Sequence, residues 1–347
     1  LTSFKSEIPI EFSPAQGDAV AYPHLFRRKQ RHLNWTLNKR ELHNSFVTHY
    51  GLVLNSLGML HLGCAPNLKL GPDDNYFIPH IWKAWRQWYG SKKGKSLKLK
   101  RLSKHRTYLL IYSPWFSNYF WITECLPRLL AFKDDFPHLT LLYPEYWKNY
   151  SYVNESLDLF PELEREVIPD DVHMVVPNLV FQDVKPFSNA FIPEQMQMVR
   201  ELFQDWLQKG SRAEKILISR AKARRQFVDN EQIESIFKEH GYQSVVYEDM
   251  SFRQQIELSS RASNLAGITG AGHVNALWMQ AGGSFLDFTN EAYLKNRRYK
   301  FHFYDLACIN QVQYKLFLCP HEGKPGVDHV GNQNLVPNRQ ALHAFLE

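Results

Sequence analysis

Between Lys215 and Asp287 the chain alternates short β-rich runs with helix-spaced segments, and that order leaves few folds open. Ile216-Leu217-Ile218 begins it as a strand. Asp229-Asn230 then suits a helix cap, and Glu231, Ile233, Ile236 and Phe237 keep helical spacing up to His240-Gly241. Ser244 to Tyr247 predicts a second strand, Glu248 to Phe252 a loop and Gln254 to Ala262 a second helix. Asn264 to Ile268 follows as a third strand, Thr269 to Gly272 as a tight turn, His273 to Gln280 as a helix and Ser284 to Phe288 as a fourth strand. Strands separated by helices in this way build a parallel α/β sheet whose ligand sits at the carboxyl ends of the strands.

That edge carries arginines and glycines. Arg220 stands where the first strand ends, and Lys222, Arg224 and Arg225 follow on a turn, so guanidinium groups can meet an anion there. Gly270 and Gly272 flank Ala271 and allow close backbone approach. The helix opening near His273 turns free N–H groups and the positive end of its dipole toward the same place. A diphosphate fits this combination, although Arg224 and Arg225 also read as a solvated basic turn. Gly267, Gly270 and Gly272 match a dinucleotide fingerprint only loosely and late in the alternation. Where a nicotinamide oxidoreductase needs its first glycine turn, this chain has arginines. In the preceding loop Glu248 can accept ribose hydroxyls beside Ser251 and Phe252, or Ser251 caps a helix next to a solvated Glu248. Asn275 either orients a phosphate or ties down its own turn.

Upstream, Leu109 to Tyr112 predicts a strand, Pro114 to Asn118 a loop, and Trp121 to Phe132 a helix with Trp121, Cys125, Leu129 and Phe132 along one stripe. Glu124 falls in its first turns among Tyr119, Phe120 and Trp121, where desolvation raises a carboxyl pKa toward that of a useful base. A carboxylate near a helix N-terminus is also favoured by the dipole without any chemistry. Arg128, one turn on, bridges to Glu124 or reaches a cleft.

These residues carry a resemblance. Ile218-Ser219-Arg220, Asn230-Glu231, Glu248 with Ser251-Phe252 and Gln255, and Gly267 to Gly272 with Asn275 resemble the carboxyl-terminal half of family 61 glycosyltransferases. Asn118 to Leu129, an aromatic run closing on Glu124 and Leu126-Pro127-Arg128, resembles that family's amino-terminal motif. Two ordered motifs are more specific than either alone. The family takes in bacterial polysaccharide enzymes, plant xylan xylosyl- and arabinosyltransferases and animal N-acetylglucosaminyltransferases. The resemblance implies an α/β, GT-B type fold with two Rossmann-like domains facing across a cleft. It implies an inverting, metal-independent transferase moving a hexosyl or pentosyl group from a nucleotide diphosphate donor, UDP-sugar favoured, to a glycan, polysaccharide or lipid-linked saccharide. The donor is a substrate, so no cofactor is implied. In that reading Arg220, Arg224 and Arg225 hold the diphosphate, and Gly270, Ala271, Gly272, His273 and Asn275 border it. Glu248, Ser251 and Phe252 line the nucleoside, and Glu124 takes the acceptor proton. Two positions depart from the family pattern: Thr269 and Phe120 stand where it usually has histidine. They open the alternative of a non-catalytic glycan-binding or regulatory protein on the same scaffold.

A metal route finds no support in the sequence. No Asp-X-Asp occurs, and Asp73-Asp74, Asp134-Asp135 and Asp170-Asp171 are adjacent pairs that diverge on a strand, so positive charge must come from side chains. The 347 residues exceed what one core usually serves. The expected division is 1–190 as the acceptor-side domain, 191–330 as the nucleotide-sugar domain, and a 331–347 tail returning to the first. Ser188 to Pro193 is the linker, Glu194 to Gln208 a helix and Tyr314 to Leu318 the last strand. In the first domain Ile8 to Tyr22 reads as an extended lead-in, Leu139 to Tyr143 as a strand, and Met174 to Phe181 as two strands around Pro177.

Cys64, Cys125, Cys308 and Cys319 lack metal-ligand spacing and disulfide density, which fits a reduced compartment, and no apolar run reaches 18 residues. The expectation is a cytoplasmic protein, with an anchor trimmed ahead of Leu1 left open. Of the net charge of +6, much is concentrated in Lys92, Lys93, Lys95, Lys98, Lys100, Arg101, Lys104, His105 and Arg106. This cluster reads as a lysine-guarded edge strand, or as a peripheral contact with anionic lipid at a bacterial inner membrane. No motif that reads nucleic acid is present.

Overall fold

The computed structural model describes residues 3–26, 30–65, 77–93, 98–112, 114–186, 190–208, 210, 213–291, 302–322 and 333–347. Lys95, Asp73-Asp74 and Ser188 of the linker lie outside them. The chain is mixed α/β and divides into two units. One comprises Leu1–Glu7 with Asn34–Ala190, the other Ile8–Leu33 with Phe191–Glu347.

The first unit is built on a mixed sheet in the order Ser3–Lys5, Thr36–Val47, His173–Gln182, Thr107–Leu109, Leu139–Pro144, Glu164–Ile168. The first two pairings are antiparallel and the last three parallel. Leu139–Pro144 is buried at every residue, as a strand covered on both faces must be. His173–Gln182 runs as one strand through Pro177 rather than as the expected two. On one side its register passes from Val176 to Asn178, and on the other its partner changes from Leu99–Arg101 to Thr107–Leu109. The proline thus falls where no ladder N–H is required. Leu99–Arg101 is a short added strand of the basic cluster. Lys100 pairs with Glu166 at 2.6 Å and Arg106 with Glu164 at 2.8 Å, so part of that charge is balanced by the strand Glu164–Ile168.

The predicted Trp121–Phe132 helix is a composite. Asn118–Phe120 is α-helical, Trp121–Cys125 is a π turn and Leu126–Leu130 is α-helical again. Proline inside a helix lacks a donor and pushes against the carbonyl four residues earlier. The widened turn immediately before Pro127 accommodates this, with the Leu126 N–H bonding to the Trp121 carbonyl five residues back.

The second unit carries six parallel strands in the order Tyr242–Val245, Glu214–Ile218, Ala262–Ile268, Ser284–Asn290, Gln313–Cys319, Gln16–Gly17. Counted along the chain, the first five follow the order 2-1-3-4-5 of a doubly wound sheet. The order reverses between Glu214–Ile218 and Ala262–Ile268, where such sheets bind ligands. Leu217, Ile268, Leu286, Phe288 and Phe317 form one core face. Against it pack Ile233 and Phe237 of the helix Asn230–Glu239, together with Leu342 and Leu346 of Arg339–Leu346. The tail therefore belongs to the second unit, not the first, because Leu342 and Leu346 lie four residues apart on one helix face and bury there. The lead-in joins this unit too: Gln16–Gly17 extends the sheet, and the Tyr304 hydroxyl donates to the carbonyls of Ser13 and Phe26 at 2.7 and 3.0 Å. Among the described residues no helix is long and apolar enough to cross a membrane.

Candidate active site

The loop after Glu214–Ile218 folds back on itself. Arg220 Nε donates to the Arg225 carbonyl at 2.9 Å, which brings both guanidinium groups to the turn that follows Ala262–Ile268. A Cβ built on Gly270 would fall on Arg220 Nη1 and lie 3.5 Å from Arg225 Nη2. The φ of Gly270 is 170°, extended backbone open to any residue, so glycine is required here for space and not for conformation. Gly272 is less demanding, since a Cβ there would make an ordinary 3.4 Å contact with Ile218. Arg220 is half-buried, Arg224 exposed and Arg225 only 4% exposed. Arg225 is therefore not a solvated turn residue, whereas Arg224 keeps that character. Lys222 is exposed and pairs with Asp249.

Asp287, which the sequence reading missed, fixes this turn from beneath. Its carboxylate accepts from Thr269 Oγ1 at 2.5 Å and from Tyr314 OH at 2.7 Å, and lies 3.0 Å from His273 Nε2. All four side chains are buried. Thr269 and His273 thus converge on one acid, and Gly267 lets the His273 ring approach to 3.2 Å from where a Cβ would sit. Burial alone would raise the Asp287 pKa; the His273 imidazole and the hydrogen bonds from His273, Thr269 and Tyr314 overcome it and hold the group below the usual carboxylate range. A depressed folded pKa gives stability that is present above the unfolded value of about 3.9 and is lost as pH falls through the folded one. Asp287→Asn is therefore expected to destabilise the protein at pH 7 by about 2–4 kcal/mol and to flatten the acid limb of its stability profile. Urea unfolding at pH 7 and pH 3.5 measures both effects.

The remaining predicted residues of this unit divide by exposure. Glu248 is exposed on the short 3-10 turn Tyr247–Asp249, just past the carboxyl end of the neighbouring strand Tyr242–Val245. Ser251 caps the helix Phe252–Arg261 in a capping box with Gln254, so that helix begins two residues earlier than expected. Phe252 is fully buried against Phe203 and Trp278, and lines the core instead of a nucleoside. The helix expected over His273 to Gln280 is a 3-10 winding over Ala271–Trp278, starting and ending two residues earlier. Ala271 is exposed at its start. His273 is 1% exposed and held by Asp287, so it faces the sheet and not the edge. Asn275 is wholly buried and ties its own turn, donating to the Gly272 carbonyl at 3.0 Å and accepting from Trp278 Nε1 at 3.1 Å.

In the first unit Glu124 sits on the π turn, 3% exposed, and neither carboxylate oxygen has a hydrogen-bond partner among the described residues. Burial raises its pKa, and the nearby cations of Lys185 and Arg128 offset part of that rise. Lys185, a second residue the sequence reading missed, is buried and donates to the Ala190 carbonyl at 2.7 Å; burial pushes its pKa down to about 8, against the pull of Glu124. Arg128 forms no ion pair with Glu124 among the described residues. Its guanidinium donates to the carbonyls of Ile111 at 2.8 Å, Gln182 at 3.2 Å and Leu110 at 3.3 Å, at the carboxyl ends of two adjacent strands. Phe120, at the other departed histidine position, is half-buried and stacks on Trp115 at 5.7 Å.

Residues 119–286 match the family described as Glycosyltransferase 61. The chain carries a family 61 glycosyltransferase domain. The match starts on the helix bearing Glu124 and runs to the strand bearing Asp287, stopping one residue short of that acid. No curated protein matches the chain. The match supports a glycosyltransferase, which works with a sugar donor and a glycan acceptor in general. Its arginine–glycine turn lies inside the matched region, and the Asp287 that braces it lies just outside.

Proposed function

We propose that the chain is an inverting glycosyltransferase of GT-B architecture that takes its sugar from a nucleotide diphosphate donor, with a UDP-sugar favoured, and needs no metal ion. The observation that carries this reading is the placement of the Arg220 and Arg225 guanidinium groups around Gly270, at the point where the strand order of the parallel sheet reverses. Fixed guanidinium groups there can bind a diphosphate bidentately and stabilise the charge that develops on it as the glycosidic bond breaks. In this reading Glu248, on the neighbouring loop, accepts hydrogen bonds from the ribose hydroxyls.

Inversion needs one base to take the proton of the attacking hydroxyl while the nucleotide diphosphate leaves from the opposite face. Glu124 is assigned that role. A buried carboxylate without hydrogen-bond partners is costly, and its raised pKa suits a proton acceptor. The acceptor is a glycan, a polysaccharide or a lipid-linked saccharide. Peripheral attachment to anionic lipid through Lys92 to Arg106 belongs to the same proposal, and the adjoining helix Phe77–Lys92 exposes Trp82, Trp85 and Tyr89, rings suited to headgroup depth. The test is proton NMR of the product formed from an α-linked UDP-sugar in the presence of a chelator. A β-linked product supports the proposal; an α-linked product, or turnover that requires a divalent ion, contradicts it.

A further inference from the structure

One pocket lies wholly within the first unit. It has a volume of about 230 Å³, below the roughly 300–1,000 Å³ of sites for drug-sized ligands, and so suits a single small ring. Pro144 and Ile168 end two adjacent parallel strands beneath it, and Tyr112 lies just beyond a third. This is the carboxyl edge at which parallel sheets present ligands. Tyr112 lines the pocket and is 1% exposed, and its buried hydroxyl has no hydrogen-bond partner among the described residues. A buried hydroxyl left in that state costs stability unless a ligand supplies the partner. At the mouth stand Tyr146, half-buried, and Asp170 and Asp171, both exposed. His49 completes the rim with its Nε2 3.7 Å from the Asp171 carboxylate, while its buried Nδ1 has no hydrogen-bond partner among the described residues.

We infer that this pocket binds one neutral sugar ring of the acceptor. The ring's apolar C–H face lies on Tyr146, and its hydroxyls donate to Asp170 and Asp171 and accept from Tyr112. Aromatic rings offer a flat apolar surface with a polar tip, and paired carboxylates accept hydrogen bonds from adjacent hydroxyls. The same two carboxylates repel an acidic sugar, so the site selects against uronic acids. That the ring belongs to the acceptor rests on the transfer reaction proposed above; that a sugar binds here does not.

The experiment is saturation-transfer NMR with the methyl glycosides of glucose, xylose, N-acetylglucosamine and glucuronic acid, on the intact chain and on Tyr146→Ala, Asp170→Asn and Tyr112→Phe. At least one neutral glycoside is expected to bind, about tenfold more weakly to Tyr146→Ala, with the glucuronide silent. Tyr112→Phe removes a single oxygen and keeps the ring, so it reports on the pocket even where Tyr146→Ala fails to fold. The thermal shift caused by UDP is expected to be the same in all four proteins. Failure of every neutral glycoside to bind the unaltered chain overturns the inference, as does equal binding to all variants or equal binding of the glucuronide. Sugar binding without donor turnover would keep the pocket and remove the transferase mechanism. UDP binding and donor hydrolysis without sugar binding would do the reverse.

Discussion

Arg220→Ala is expected to lower kcat/KM for the nucleotide-sugar donor by roughly 10²–10³-fold, the loss typical of removing one preorganised group that stabilises developing negative charge. The half-buried side chain also donates a hydrogen bond to the Arg225 carbonyl within its own loop, so stability is followed alongside activity. Arg220→Lys should recover only part of the activity, since an ammonium cannot grip two phosphate oxygens in a plane. Gly270→Ala provides a check that leaves the arginine in place. The added methyl meets the Arg220 guanidinium and displaces it, so donor affinity should fall at least tenfold. Gly272→Ala, with an ordinary contact to Ile218, should fall within threefold of the unaltered protein. Steady-state kinetics with a UDP-sugar, read beside thermal unfolding, distinguishes these outcomes. An unchanged kcat/KM in Arg220→Ala would remove the diphosphate role of the loop.

Arg128→Ala carries the largest expected effect on stability. Four carbonyls, of Leu110, Ile111, Tyr112 and Gln182, lose their buried donor, and Glu124 loses one of the two cations offsetting its charge. Removing one partner from a buried charged network typically costs about 3–5 kcal/mol, a large share of the stability of a domain. Arg128→Lys should restore less than half of it, because one ammonium cannot cover carbonyls that end two different strands. Chemical denaturation followed by tryptophan fluorescence provides the measurement, since Trp121 and Trp147 are buried in the same unit. A loss below about 1 kcal/mol would show that solvent or neighbouring groups satisfy those carbonyls.

The alternation of strands and helices from Lys215 to Asp287 was legible because each element has its own periodicity, and the observed parallel order follows from it. Arg220 could be placed at a strand end for the same reason. What the sequence hid are partners distant along the chain. Asp287 binds Thr269, 18 residues earlier, and Tyr314, 27 residues later, and no local pattern announces a buried acid on an apolar strand. Arg128 was read against Glu124 because helical spacing makes them neighbours, yet its donors go to carbonyls brought near by sheet pairing. Lys185 looked like any lysine beside a proline until folding enclosed it. Pro177 looked like a break because its missing donor is a local fact, while the gap in pairing that tolerates it is not. The two histidine departures also acquire a physical setting. Thr269 shares an acid with His273, whereas Phe120 joins an aromatic stack.

The most direct measurement is calorimetric titration of the intact protein with UDP in buffer containing excess EDTA, repeated with Arg220→Ala. Saturable binding to the unaltered protein without any divalent ion is expected, weakened at least tenfold by the substitution. Binding that appears only when magnesium or manganese is restored, or that is indifferent to the loss of Arg220, would contradict the claim that fixed guanidinium groups hold the leaving diphosphate.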